Sequence, residues 1–301
     1  MLFHRAMRAL KDESSEISET KFDIFLGDCI AGMSRLQPKS IDLVVTSPPY
    51  NLGIKYSAYK DDQAREHYLA WCEEWAKQIQ RVLKDDGSFF LNVGASPSNP
   101  MLPHELADLF GRGLFRLQNT IHWIKSITID GEEGEETFSR GHFKPISSPR
   151  FLNDCHEHIF HFTKEGKTPI DRLAIGVPYA DKSNISRWAH TREESRDKRC
   201  RGNTWFIPYK TIRDRNTQRP HPATFPPELA ENCILLHANG KPEGLTMMDP
   251  FLGIGSAAAA AKQLHVGRFI GFDIDEGYLK VAAERVGTNI QREQHGLPGV
   301  L

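Results

Sequence analysis

The chain has 301 residues, 39% of them hydrophobic and 26% charged, with 38 Lys and Arg against 39 Asp and Glu. That length holds one large α/β domain with a smaller insertion, and the apolar fraction suits a full-sized core. No apolar run approaches the roughly 18 residues of a membrane span, and segment 1–20 lacks a signal-peptide apolar stretch, so a cytoplasmic protein is the expectation.

The five cysteines, at 29, 72, 155, 200 and 233, form no CxxC pair and read as free thiols in a reducing compartment. Cys155 lies beside His156, His158 and His161, which invites a metal reading. Residues 151–163 read as a strand, however, whose side chains alternate between two faces. These four are therefore not expected to converge on one ion, and no metal is expected.

Residues 1–20 are polar and read as a loosely ordered tail. A strand over 22–26 closes in Gly27-Asp28, a short helix fits 29–36, and a second strand over 41–45 ends in Thr46-Ser47-Pro48-Pro49-Tyr50. A long helix follows, capped by Asp61 or Asp62. Tyr68, Cys72, Trp75, Ile79 and Val82 form its apolar face and Asp86-Gly87 its end. Next come a buried strand over 88–93, a helix over 104–110 and a strand over 115–124. The acidic, glycine-rich stretch within 126–150 reads as a mobile loop, either a lid or a surface excursion. A strand over 156–163 precedes an aperiodic region, 164–203.

Order returns at 205–207 and in a helix over 227–238, with Pro227 in its first turn and Gly240 just past its end. Strand 245–248, turn 249–255, helix 256–264, strand 268–272 and helix 276–286 complete the chain. Alternating strands and helices predict an α/β fold with a doubly wound, mainly parallel sheet. Ligands of such sheets bind beyond the carboxyl ends of the strands, where the turns at Ser47 and Phe251 both lie.

Three constellations carry chemistry. Two prolines directly after an apolar strand end its ladder and present carbonyl oxygens rigidly. An exocyclic base amine is a poor nucleophile because its lone pair is delocalised into the ring. Acceptors such as the Ser47 hydroxyl and the Pro48 carbonyl would draw that lone pair toward an incoming methyl group. Tyr50 offers an aromatic face to an extruded base; the alternative is a rigid turn with a buried tyrosine. Second, Asp249-Pro250-Phe251-Leu252-Gly253-Ile254-Gly255-Ser256 joins a strand to a helix, with glycines that let a ligand approach the backbone. Asp273, about twenty positions on, stands where a ribose hydroxyl is read. A nicotinamide cofactor fits that spacing equally, and Asp273 or Asp275 would also serve as a helix cap. Third, Asp28 ends the first strand as either an adenine-amine contact or an N-cap.

The charge balance hides an asymmetry. Between 182 and 219, eleven Lys and Arg face four acidic residues. Such a segment is either a solvated linker or a phosphate-binding surface.

Together these residues resemble the DNA amino-methyltransferases that modify cytosine N4 or adenine N6. Ser47-Pro48-Pro49-Tyr50 matches their catalytic loop, and Phe251-Leu252-Gly253-Ile254-Gly255 their S-adenosylmethionine loop. The order, catalytic loop first, is that of the beta-type, circularly permuted members. His221-Pro222-Ala223-Thr224-Phe225-Pro226, with Leu229, looks like their segment contacting the methionine part of the cofactor. His156-Glu157-His158-Ile159-Phe160 with Lys164 is similar to a strand common among them.

The resemblance, over about 21–290, implies a Rossmann-like methyltransferase fold. Its parts would be a tail (1–20), a catalytic part (21–163), a target recognition region (164–219), a cofactor-binding part (220–289) and a C-terminal tail (290–301). It implies catalytic roles for Ser47, Pro48, Pro49 and Tyr50. Cofactor contacts would come from Asp28, Phe225, Asp249, Phe251, Gly253, Gly255, Ser256 and Asp273. DNA contacts would come from Arg187, Arg192, Arg196, Lys198, Arg199, Arg201, Arg213 and Arg215.

The partners it implies are DNA, a cognate restriction endonuclease and a second copy in a homodimer, with no membrane. Ser47 favours cytosine N4 by family likeness, with adenine N6 on the same fold as the alternative. An RNA or protein-amide methyltransferase, a nicotinamide oxidoreductase and a DNA-binding protein without catalysis are the other readings. The motif order, the Ser-Pro-Pro-Tyr turn and the intact motifs argue against each in turn.

Overall fold

The apolar runs pair into a nine-stranded sheet in the computed structural model, which describes residues 19–54, 56–131, 136–141, 148–181, 197–208 and 224–292. In chain order the elements begin with β1 (Lys21–Leu26), α1 (Cys29–Ser34), β2 (Ile41–Thr46), α2 (Arg65–Val82), β3 (Leu83–Val93), α3 (Leu102–Gly111) and β4 (Arg116–Ile124). Then come β5 (Ser126–Ile129), β6 (Phe138–Gly141), β7 (His156–Thr163), β8 (Val177–Pro178), β9 (Lys198–Arg199) and β10 (Thr204–Phe206). The last are α4 (Pro227–Ala238), β11 (Thr246–Asp249), α5 (Ser256–Gln263), β12 (Arg268–Asp273), α6 (Glu276–Val286) and β13 (Ile290–Arg292).

The sheet order is β10-β4-β7-β3-β2-β11-β12-β1-β13. Only β7 runs against its neighbours; the other described pairings in this sheet are parallel. Each face carries a core. α1, α2 and α3 cover one, where Trp75, Phe89, Phe110 and Phe162 are fully buried. α4, α5 and α6 cover the other, which the alanines of α5 let approach closely. The fold is therefore the expected doubly wound α/β sheet, mixed at β7. β2 and β11 are neighbours, with Leu43 opposite Met247. The turns after them emerge side by side although some 200 residues separate them.

Several local expectations change. α2 stops at Val82, short of Asp86-Gly87, because Leu83 turns extended and pairs with Ile41 of the sheet. Asp61 does not cap α2; Ala64 holds the N-cap position, and Asp61 is used in the loop before it. The segment expected to be a loop over 126–150 contains the β5–β6 hairpin, with Ser126 opposite Gly141. Residues 132–135, with three of its glutamates, lie outside the described residues. The tail expected from 290 begins instead with β13, which adds to β1 through Ile24 and Ile290. Trp205 and Ile207 are buried at the sheet edge, where the Trp123 Nε1–H donates to the Ile207 carbonyl at 2.8 Å. All five cysteines are free. Among the described residues no helix is long and apolar enough to cross a membrane.

Candidate active site

The loop after β2 is shaped by side-chain hydrogen bonds from several directions. Thr46, fully buried, donates its hydroxyl to Asp249 Oδ1 at 2.5 Å, which ties the end of β2 to the end of β11. The Ser47 hydroxyl lies 2.6 Å from the Tyr50 hydroxyl. Tyr50 in turn donates toward Glu157 Oε2 and the Asn92 carbonyl, each at 3.2 Å. Asn92 Nδ2 donates to Glu157 Oε2 at 2.7 Å and to the Tyr50 oxygen at 3.0 Å. Lys125 pairs with Glu157 Oε1 at 3.1 Å. Tyr68 donates to the Pro49 carbonyl at 2.8 Å, which engages that oxygen from the side of α2. Beyond Tyr50 the chain turns back through Asn51, in the left-handed region at φ 55°. The buried Asp61 carboxylate gathers the N–H groups of Asn51, Leu52 and Ile54 at 2.8–3.0 Å. Burial raises the Asp61 carboxyl above its ordinary value, and these three donors counter that.

The turn after β11 is held mostly by its own backbone and by Asp273. Asp249 Oδ1 accepts from the Phe251 N–H at 3.0 Å, and Leu252 N–H donates to the Phe272 carbonyl at 2.9 Å. Asp273 Oδ2 accepts from the Gly253 N–H at 2.7 Å and its Oδ1 from the Asp275 N–H at 2.8 Å. Gly255 precedes α5 at φ 78°, where an added Cβ would stand 2.8 Å from the Ala282 Cβ; both facts demand glycine. Phe251 is wedged edge-on between Trp71 and Trp75, at 5.5 and 5.4 Å between centroids. Burial pushes the Asp249 carboxyl up to about 7, against the lowering effect of its Thr46 and Phe251 bonds. Burial also raises Asp273.

Between the two turns opens a cleft. Ser47, Pro48, Pro49 and Tyr50 line one part of it; Asp28, Phe225, Phe251, Gly253, Ser256 and Asp273 line the rest. Asp249 and Gly255 do not line it: they lie beneath, one joining the two strand ends and the other shaping the turn. Asp28 is both a cleft residue and the cap of α1, accepting from the Ala31 N–H at 2.9 Å. Asp275, not Asp273, caps α6. Cys29 also reaches the cleft, and burial, with Asp28 nearby, pushes its thiol well above the ordinary range. Lys198 and Arg199 form the exposed β9, and Arg201 donates from Nε to the Ile175 carbonyl at 3.0 Å. Arg187, Arg192, Arg196, Arg213 and Arg215, and His221 to Ala223, lie outside the described residues.

Sequence reasoning missed Tyr56, Tyr59 and Trp71, which wall the cleft, and Asn92, Lys125 and Glu157, which organise Ser47 and Tyr50. A signal existed for Asn92, a polar residue inside the apolar run 89–93. The strand alternation does separate His161, which donates to or accepts from Ser88 at 2.9 Å, from His156 and His158. It also leaves His156 and His158 on one face, where they meet His122 of β4.

The cleft suits S-adenosylmethionine by its donor set. Carboxylates at Asp28 and Asp273 can accept from amine and ribose hydroxyl groups, and the aromatic walls suit a flat heterocycle. Asp273 already takes two backbone N–H groups, but a carboxylate has about four acceptor positions.

A family model, that of the N6/N4 DNA methylases, matches residues 41–284, a span that holds both turns. The chain belongs to this family and is an S-adenosylmethionine-dependent DNA amino-methyltransferase. Type II methyltransferase M.HpaI of Haemophilus parainfluenzae is 29% identical over 268 residues, 88% of this chain and 74% of that protein. Type II methyltransferase M.BglII of Bacillus subtilis is 29% identical over 270 residues, 86% and 67% of the two chains. Among solved structures, the cytosine-N4-specific PvuII DNA methyltransferase superposes with a TM-score of 0.63 at 19% identity, covering 89% of this chain and 87% of that one. The M1.HpyAVI complex with S-adenosylmethionine gives 0.53 at 17% identity, covering 88% and 99%.

Proposed function

We propose that this enzyme methylates the exocyclic N4 amine of cytosine in DNA, after the base leaves the duplex and enters the cleft beside Tyr50. The observation that carries this reading is the chain of hydroxyls and carboxylate that runs from Ser47 and Tyr50, which line the cleft, to Glu157 behind them. Ser47 Oγ accepts one amine N–H and the Pro48 carbonyl the other, which localises the lone pair toward the methyl donor. Pro48 suits the task because Tyr68 already engages the Pro49 carbonyl. The proton lost by the amine passes from Ser47 to Tyr50 and on to Glu157, a carboxylate that Lys125 pairs. The Tyr50 ring, anchored by its hydroxyl, forms a fixed wall for the base. When bound, the cofactor supplies an electrophilic methyl group on a sulfonium, so alignment of the amine accounts for much of the rate. Asp28 and Asp273 bind its adenine and ribose, and Phe225, Phe251, Gly253 and Ser256 shape its seat, with Asp249 and Gly255 supporting from below.

The serine at the head of the loop and the cytosine-N4-specific PvuII enzyme among the structural relatives support cytosine as the target. Residues 164–219 form the target recognition region in this reading, with Lys198, Arg199 and Arg201 and the arginines at 187, 192, 196, 213 and 215 as DNA contacts. The Type II names of the relatives support a cytoplasmic restriction-modification pairing with a cognate endonuclease; a homodimer rests on family likeness alone. The test is incubation of unmethylated DNA with S-adenosylmethionine, nucleoside digestion and mass spectrometry. N4-methylcytosine is expected. N6-methyladenine would overturn the base assignment and leave the fold and cofactor standing.

A further inference from the structure

β7 presents different chemistry on its two faces. Glu157 points to the catalytic network, while His156 and His158 point to the opposite face. There His122 of β4 pairs directly opposite His158 in the antiparallel register. The ring centroids stand 5.2 Å apart for His122 and His158, 5.2 Å for His156 and His158, and 5.9 Å for His122 and His156. One ring nitrogen of each lies within 4.8 Å of those of the other two. His158 stacks on Phe160 at 5.4 Å, which fixes its ring plane. Its Nδ1 is buried and has no hydrogen-bond partner. A polar atom stripped of water with nothing in exchange calls for a ligand.

We infer that His122, His156 and His158 form a binding site for a divalent transition metal of the zinc class. Three imidazoles suit zinc, copper, nickel or cobalt, and the set contains no carboxylate to favour magnesium or calcium. Glu157, next in sequence to two of the ligands, is turned away and held by Lys125, Asn92 and Tyr50. Zn–N bonds of about 2.0–2.1 Å in a tetrahedral site place ligand nitrogens about 3.3 Å apart, so nitrogen shifts on the order of an ångström, taken up by His122 and His156 around the stacked His158, close the triad. The fourth position falls to water or to exposed His104 in the first turn of α3, whose ring lies 5.5 Å from His158. Such an ion clips β4 to β7 directly behind Glu157.

The test uses the untagged chain, stripped with a chelator and dialysed. Zn²⁺ is titrated against a chromophoric competitor, and Co²⁺ binding is followed by its visible absorption. One equivalent per chain with tetrahedral Co²⁺ bands is expected, as is a rise in Tm with added Zn²⁺. His156→Gln, which removes an exposed ligand without disturbing the core, should weaken binding at least about 100-fold, beyond the loss of an outer-shell partner. His158→Gln should do the same, and Cys200→Ser, an exposed thiol, should change nothing. Less than one equivalent on the wild type, or wild-type affinity in His156→Gln, overturns the site. Neither readout depends on methyl transfer, so this result stands apart from the base assignment.

Discussion

The two turns that face each other across the cleft are built in opposite ways. The turn after β11 is defined by backbone: glycines at positive φ, carbonyls of the next strand, and one carboxylate that collects N–H groups. The loop after β2 is defined by side chains that arrive from β3, β7, α2 and the segment before α2. A backbone-built turn binds a constant ligand and tolerates little change. A side-chain-built loop can be tuned, and can hold the proposed proton route, but every member depends on distant parts of the chain. Asp249 is where they join, supporting its own turn at Phe251 and the other through Thr46.

That contrast can be broken by experiment. Ser47→Ala should lower the transfer rate roughly 100- to 1000-fold, while cofactor affinity by calorimetry stays unchanged. A parallel loss of cofactor affinity would show that the two turns do not act separately. Asp61→Ala releases three backbone N–H groups of the loop after β2. It should cost about 1–3 kcal/mol in urea unfolding and about tenfold in rate. Unchanged kinetics would mean that the prolines alone hold the loop.

The junction itself is sharpened by Asp249→Asn. Burial raises the folded-state pKa of Asp249 from 3.8 to about 7, so its stabilising contribution is complete below 3.8 and lost as pH rises through 7. The variant should gain Tm over the wild type progressively between those values and hold a constant advantage above them. A difference that shrinks with rising pH would contradict the burial argument. The smallest effect concerns the basic region. Arg199→Ala should reduce the salt dependence of DNA binding by about 0.9 in the log–log slope without changing cofactor affinity.

How much of this was visible in the chain follows the same division. Period-three and period-four apolar spacing marked α2, and Pro227 and Gly240 marked the ends of α4, because these are local properties. The Ser-Pro-Pro-Tyr and Phe-x-Gly-x-Gly turns were legible because proline and glycine restrict the backbone wherever they occur. Asp61 misled because a carboxylate before a helix looks like a cap, and only the fold shows three nearer donors. The β5–β6 hairpin and β13 were missed because short strands owe their existence to a partner.

The sequence alone therefore determined the alternating α/β order, the two turns and their places at strand ends, since each rests on torsional preference and periodic burial. Tertiary structure alone decided which strands are neighbours. Pairing β2 with β11 makes one cleft of two turns, and pairing β7 with β3 and β4 brings Glu157 to Tyr50 and His158 to His122. The physical reason is that strand pairing is a contact between distant residues, and no local property of either strand encodes its partner's side chains.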